Sequence, residues 1–434
     1  MKKLYCKLSA TTLGAAVTLA VAAPSSLAIS FSLSQSFFNP NPDRLDTLSD
    51  AFGSEVAIDG DKVLIGARYD DTFGSSSGAA YLFDAVSGNL TQTFFQPDLD
   101  VGDTFGTAVA IDGDKVLIGA AGESEVGSGG GAAFLFDAVS GNLIQSFFSS
   151  NNSVIFGSSV AIDGDKVLIG DSQNDTFAQL SGAAFLFDAV SGDLTQRFFH
   201  PNPDEPRFNV GDAFGASVAI NGDKVLIGAA GDDTFGFSSG AAFLFDAISG
   251  NIIQTFFDPN PGDEDVFGSS VAIEGDKVLI SAIFDDTFGF NSGAAFLFDA
   301  VSGNLIQTFL DPNPDDFDFF GTSVAIDGDK VLIGARGDDT FGNNSGAAYL
   351  FDAVSGNLIQ SFFAPNPDED DDFGFSVAIF GDNLLIGAPG DDEGAVFLFQ
   401  AASSSVPEPG TALSLGIFGL ALLLRKKLAP SKKK

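Results

Sequence analysis

The stretch FGSSVAIDGDKVLIG, Phe156 to Gly170, is written seven times with small changes along this 434-residue chain. Repetition at a fixed period constrains a fold more tightly than composition does, because each copy must be one structural unit that stacks on the next. The Phe-Gly pairs that mark the units begin at Phe52, Phe105, Phe156, Phe214, Phe267, Phe320 and Phe373, with spacings of 53, 51, 58, 53, 53 and 53 residues. Each unit holds four apolar runs of strand length, which in the sixth are SVAI, KVLIGA, GAAYLFDA and NLIQSFF, between Ser323 and Phe363. They are rich in Val, Ile, Phe and Tyr, the residues that fit a pleated surface. Asp-Gly at 59–60, 112–113, 163–164 and 327–328, and Asn-Gly at 221–222, separate the first two runs. Those dipeptides accept positive φ and close two-residue hairpins. The DAVSGN segment joins the third run to the fourth with turn chemistry again. No window keeps a helical period.

The runs are apolar on both faces, which suits a small sheet sandwiched between two neighbouring sheets. The reading is an all-β chain, a seven-bladed β-propeller of four-stranded antiparallel blades. Its ends fit that reading. The last unit stops after GAVFLF, Gly394 to Phe399, and lacks a fourth run, whereas LSQSFFNPNPD, Leu33 to Asp43, matches the fourth run LTQTFF of Leu90 to Phe95. An N-terminal strand that completes the last blade leaves no free blade edge.

Charge is lopsided, with 58 acidic residues against 20 basic ones. Nine of the basic residues are Lys2, Lys3, Lys7, Arg425, Lys426, Lys427 and Lys432 to Lys434, so the middle holds 11 basic residues against all 58 acidic ones. Such a surface repels nucleic acid and anionic lipid, and nucleic-acid binding is set aside. Lys2 and Lys3 precede the apolar run Leu13 to Ala23 and the small residues Ser26-Leu27-Ala28, the layout of a signal peptide cleaved after Ala28. The one cysteine, Cys6, lies inside it, so the exported body has no disulfide. The tail runs Pro407, Glu408, Pro409, then an apolar stretch from Thr411 to Leu424, then basic residues. This resembles the PEP-CTERM sorting signal of exported bacterial proteins. The resemblance implies a short membrane helix held in the inner membrane, processing by signal peptidase and an exosortase, and release to the cell surface or beyond it. The expected organisation is a signal peptide at 1–28, a propeller at 29–405 and a sorting tail at 406–434.

The units themselves resemble FG-GAP repeats, the blades of integrin α-subunit propellers, and the last one contains both Phe373-Gly374 and Gly387-Ala388-Pro389. The resemblance implies a seven-bladed propeller used for extracellular binding. It also implies calcium in the hairpin between the first two strands, but here that hairpin is only IDGDK, with Asp59 and Asp61 in the first copy. A calcium ion takes six to eight oxygens, which this turn does not supply. The family's calcium positions are therefore not carried over.

Carboxylates gather elsewhere. The loop between strands two and three holds Asp70-Asp71, Asp232-Asp233, Asp285-Asp286, Asp338-Asp339 and Asp391-Asp392. The loops between units are acidic too, as in Asp311 to Asp316 and Pro367 to Asp372. Up-down connectivity brings both loop types to one rim, where they are candidate calcium ligands or, more simply, a solvated face that keeps a Phe-rich protein soluble. The phenylalanines of the DTFG segments, Phe73, Phe235, Phe288 and Phe341, are expected to pack between blades. The one histidine of the body, His200, stands beside Pro201 in a loop and reads as a surface residue. No catalytic constellation emerges.

A ring of near-identical loops offers no unique site, so discrimination between ligands needs asymmetry. The third unit supplies it with GDSQNDTFAQL, Gly170 to Leu180, and the longest exit loop. Asp171, Gln173, Asn174, Gln179 and Arg207 are the candidate ligand contacts. Expected functions are binding or adhesion to a polysaccharide or protein at the cell surface, an enzyme that uses channel carboxylates on polysaccharide, or a structural matrix component.

Overall fold

The computed structural model describes residues 30–402, apart from 43–49, 73, 98–101, 123–129, 150–152, 154, 177–179 and 204–210. Ala28, Pro407, Glu408, Pro409, Phe73, Gln179 and Arg207 lie outside the described residues. The described chain forms twenty-eight strands, β1 to β28, in seven four-stranded antiparallel sheets. Blade 1 is β2 (Phe52–Asp59), β3 (Lys62–Ala67), β4 (Ala79–Asp84) and β5 (Leu90–Phe94). Strands β6 to β25, between residues 105 and 362, build blades 2 to 6 in the same order. Blade 7 takes β26 (Ser376–Phe380), β27 (Asn383–Ala388) and β28 (Ala395–Ala401) from one end of the chain and β1 (Phe31–Phe38) from the other. Phe31 pairs with Ala401 and Phe38 with Ala395, so the ends close the ring as the sequence predicts.

Packing explains the repeated letters. The core is not one centre but seven interblade layers. In one of them Leu64, Leu82 and Phe94 of blade 1 meet Phe105, Val116, Ile118 and Phe134 of blade 2. Val63 and Ile65 face the other way, toward Leu385 and Leu398 of blade 7. A KVLIGA strand is therefore apolar on both faces because both faces are interfaces. Phe of each Phe-Gly pair is buried, and its Gly lets the next backbone lie flush. At Gly374, φ is +90° and a Cβ would stand 2.1 Å from the carbonyl oxygen of Ala347. Only glycine fits such an approach.

On the hairpin rim, blades 1 to 6 each hold the next. Asp59 Oδ2 accepts the Gly113 N–H at 2.7 Å, and Lys277 Nζ reaches Asp329 at 2.8 Å and the Gly328 carbonyl at 2.6 Å. These half-exposed pairs are each worth about 0–1 kcal/mol. Blade 7 carries Phe380 and Asn383 in those two positions and makes neither tie. That seam keeps the outer-strand bond found at other seams, as Gln35 Nε2 of β1 donates to the Val86 carbonyl of blade 1 at 3.1 Å and Gln92 Nε2 donates to the Val139 carbonyl at 2.8 Å.

The first strands of all seven blades face the axis. Val56, Ala57, Ile58 and their six equivalents enclose a lower channel of about 270 Å³. Toward the acidic rim the channel widens into a cavity of about 420 Å³.

Candidate functional site

Two constructions occupy the acidic rim, and the repeat builds both. The first recurs at the junctions leading into blades 1, 4, 5, 6 and 7, and in part at blade 2. It brings together three chain positions: the residue just after a fourth strand, an Asp just before the next Phe-Gly pair, and the first Asp of the following strand-two loop. At blade 1 these are Asn39, Asp50 and Asp70. All three are buried, and Asn39 Nδ2 donates to Asp50 Oδ2 at 2.5 Å while the Tyr81 hydroxyl donates to Asp70. At blade 2 Gln96 Nε2 donates to Asp103 Oδ2 at 2.7 Å.

At blade 4 the position after the strand is His200, which is only 7% exposed. Its Nε2 lies 2.8 Å from Asp232 Oδ2 and its Nδ1 3.5 Å from Asp212 Oδ2. The surface assignment of His200 is thus overturned. An interblade loop tucks its first residue under the rim, and Phe243 packs edge-on at 4.8 Å to complete the pocket. Burial raises the Asp232 carboxyl, but the hydrogen bonds from His200 and Thr234 outweigh it and hold the group below its ordinary range.

At blades 5 and 6 the position after the strand is Asp, which joins two further carboxylates. Asp258, Asp265 and Asp285 are all buried, with one oxygen from each lying within 4.8 Å of the others. Burial first, and then the charges of Asp285 and Asp265, push Asp258 up to about 7. Asp265 rises to about 6, through burial first and then the charges of Asp285, Asp286 and Asp263. Blade 6 has buried Asp311, Asp318 and Asp338 at the same three positions, and adds a Tyr349 hydroxyl that donates to Asp338 at 2.5 Å. Burial first, and then the neighbouring carboxylates, carry Asp318 to about 7. At blade 7 Ala364 leaves the position apolar, and burial lifts Asp391 to about 6.

The second Asp of each loop does a different job. Asp71, Asp233, Asp286 and Asp339 cap their own loops by accepting the N–H of Ser76, Ser238, Asn291 and Asn344. Of the paired candidate ligands, the first member therefore points into a junction and the second braces its loop. Asp392 adopts positive φ.

Blade 3 uses its divergent residues internally. Asp171 and Asn174 are buried and bonded to one another at 2.8 Å, and the Ser153 hydroxyl donates to Asp171. Gln173 is exposed. The DTFG phenylalanines do not pack between blades either. Phe235 and Phe341 are each 58% exposed and lean on Phe257 at 4.8 Å and Phe363 at 4.7 Å. The segment stands above the strands, so its ring reaches only the rim end of its own blade, just past the fourth strand.

The second construction is the mouth of the axial cavity. Its wall carries a ring of small hydroxyl and methyl side chains, including Ser159, Ser217, Ser270 and Ser323. Three residues break the ring: Glu55, Arg336 and Phe375. Arg336 stands 5.0 Å from the ring centre of Phe319 and 5.5 Å from that of Phe375, held between two aromatic faces. Burial pushes Glu55 up to about 7, against the pull of Arg68. Sequence reasoning missed all three. The signal lies in single alignment columns: Glu55 where other units have Ser or Ala, and Phe375 where they have Ser, Thr or Ala.

Seven segments of the chain, residues 47–83, 89–136, 151–187, 208–245, 254–298, 305–351 and 357–399, match the FG-GAP repeat. No curated protein matches the chain.

Proposed function

The chain belongs to the FG-GAP repeat family, and from that premise we propose that it is an exported, cell-surface binding propeller that takes a polysaccharide at the rim-side mouth of its axis. The observation that carries this reading is the cavity of about 420 Å³ there, where Glu55, Arg336 and Phe375 break the sevenfold repetition with mixed chemistry. Its volume falls in the range of small-ligand sites. Serine hydroxyls donate and accept, as sugar hydroxyls require, and each keeps capacity beyond its interblade bond. Phe375 offers an apolar face for a sugar ring, while Glu55 and Arg336 fix orientation. The surrounding carboxylates disfavour an acidic chain, so the expected ligand is a neutral polysaccharide. The lysine-flanked N-terminal run and the Pro407-Glu408-Pro409 tail support export and surface delivery.

The test is a glycan-binding screen of the purified chain with Phe375→Ser, Arg336→Ala and Glu55→Gln, the first two of which restore residues that other blades use. Binding should fall at least tenfold in Phe375→Ser, about 1.4 kcal/mol. Absence of glycan binding, or equal binding by all three variants, would refute the site. For the address, mass spectrometry of the released protein should show a start at Ile29 and loss of the tail.

A further inference from the structure

We propose that the junction leading into blade 5 is a divalent-cation site of calcium type, with Asp258, Asp265 and Asp285 as its carboxylate ligands. The inference is independent of the polysaccharide reading.

Position comes first. One oxygen from each of the three groups lies within 4.8 Å of the others, and calcium binds oxygen at 2.3–2.6 Å, so a single ion spans the set. Backbone N–H groups orient all three: Asn260 donates to Asp258 Oδ1 at 2.7 Å, Thr287 to Asp285 Oδ1 at 2.8 Å, and Gly262 to Asp265 Oδ2. Each carboxylate is thus pinned through one oxygen. Asp258 is only 5% exposed, and its other oxygen, Oδ2, is buried with no hydrogen-bond partner. A buried carboxylate oxygen that accepts nothing carries a large desolvation cost, which a bound cation removes.

The junctions into blades 1, 2 and 4 are internal controls, whereas at blade 6 Asp311 Oδ2 is buried and unpartnered as Asp258 Oδ2 is. The same place holds the Asn39 amide and the Tyr81 hydroxyl at blade 1, the Gln96 amide at blade 2, and the His200 ring at blade 4. At each of them the protein's own donor meets the carboxylates. At blade 6 the Tyr349 hydroxyl supplies one donor. Blade 5 has Asp258 instead of Asn, Gln or His, and Phe296 where Tyr81 and Tyr349 stand. Among the described residues, acceptors gather there without a side-chain donor. The ligand set is oxygen only, which selects calcium or magnesium over zinc or copper. Magnesium demands strict octahedral geometry at 2.0–2.1 Å, whereas calcium accepts the irregular coordination that carboxylates from three loops offer, so calcium is the expected ion.

The test is calorimetric titration of calcium chloride into chelator-treated full-length chain at pH 7.4, with melting temperatures measured in parallel. Two variants are compared. Asp258→His copies the residue that blade 4 uses, and Asp339→Asn alters an exposed rim carboxylate. Native protein should bind calcium and melt higher with it. Asp258→His should lose affinity at least tenfold, melt higher than the native chain in chelator, and gain little on adding calcium. Asp339→Asn should keep the native response. Failure of the native chain to bind calcium at millimolar concentration overturns the proposal, as does an undiminished response in Asp258→His. An equal loss in Asp339→Asn also overturns it, because the binding would then belong to the diffuse charge of the rim.

Discussion

Phe37→Ala tests ring closure at the level of one side chain. Phe37 belongs to the N-terminal strand yet is only 2% exposed, with its ring 5.1 Å from Phe83 of blade 1. It shares a core with Leu385, Val396 and Leu398 of blade 7. Phe198 is its equivalent in mid-chain, equally buried and 5.1 Å from Phe245. Truncating a buried Phe costs about 3–5 kcal/mol. If β1 is locked into the ring, both variants lose that amount. Phe38, on the opposite face and exposed, should lose no more than about 0.5 kcal/mol when truncated. The assay is urea unfolding followed by circular dichroism, since the chain has no tryptophan. The reasoning fails if Phe198→Ala loses the full amount while Phe37→Ala stays within about 1 kcal/mol of native, because a strand held only at its own edge frays without unfolding the ring.

Two further predictions concern backbone approach and pH. In Gly334→Ala the new Cβ would stand 1.9 Å from the Gly374 carbonyl oxygen, so blades 6 and 7 must part, at a cost of about 3 kcal/mol. Gly328→Ala opens onto free space at φ +61° and should cost about 1 kcal/mol; urea midpoints in the reverse order would contradict the packing. In chelator, Asp258 and Asp318 titrate near 7 and Asp265, Asp311 and Asp391 near 6 when folded, all above the ordinary 3.8. Raised carboxyls stabilise the fold below their unfolded value and lose that contribution as pH rises through the folded one. Melting temperature should therefore fall between pH 5 and pH 8, and a flat or rising profile would count against the buried clusters.

Blade count, strand order and closure were legible in the sequence because each is written in local signals: Asp-Gly hairpins, apolar runs and the misplaced LSQSFF of β1. The junction triads were not. Asp258, Asp265 and Asp285 come from three loops, and no single loop has ligand spacing. Their signal runs down a column after the fourth strand, where Asn39, Gln96, His200, Asp258, Asp311 and Ala364 share a place and differ in what they donate. His200 was misread for the same reason, since its loop neighbours say nothing of the two carboxylates that meet it. The mouth was hidden because Glu55 and Phe375 look like drift in one dimension. Closure brings strands from opposite ends of the chain to one wall.

The most direct measurement is a hydrogen-exchange footprint of the full-length chain with and without the glycan that binds it best. An axial site predicts protection at the starts of several first strands together, around Ser54 to Val56, Thr322 to Val324 and Phe375 to Val377. Protection confined to 171–180 and 200–212 of the third unit would place binding on that unit's loops and contradict the axial site.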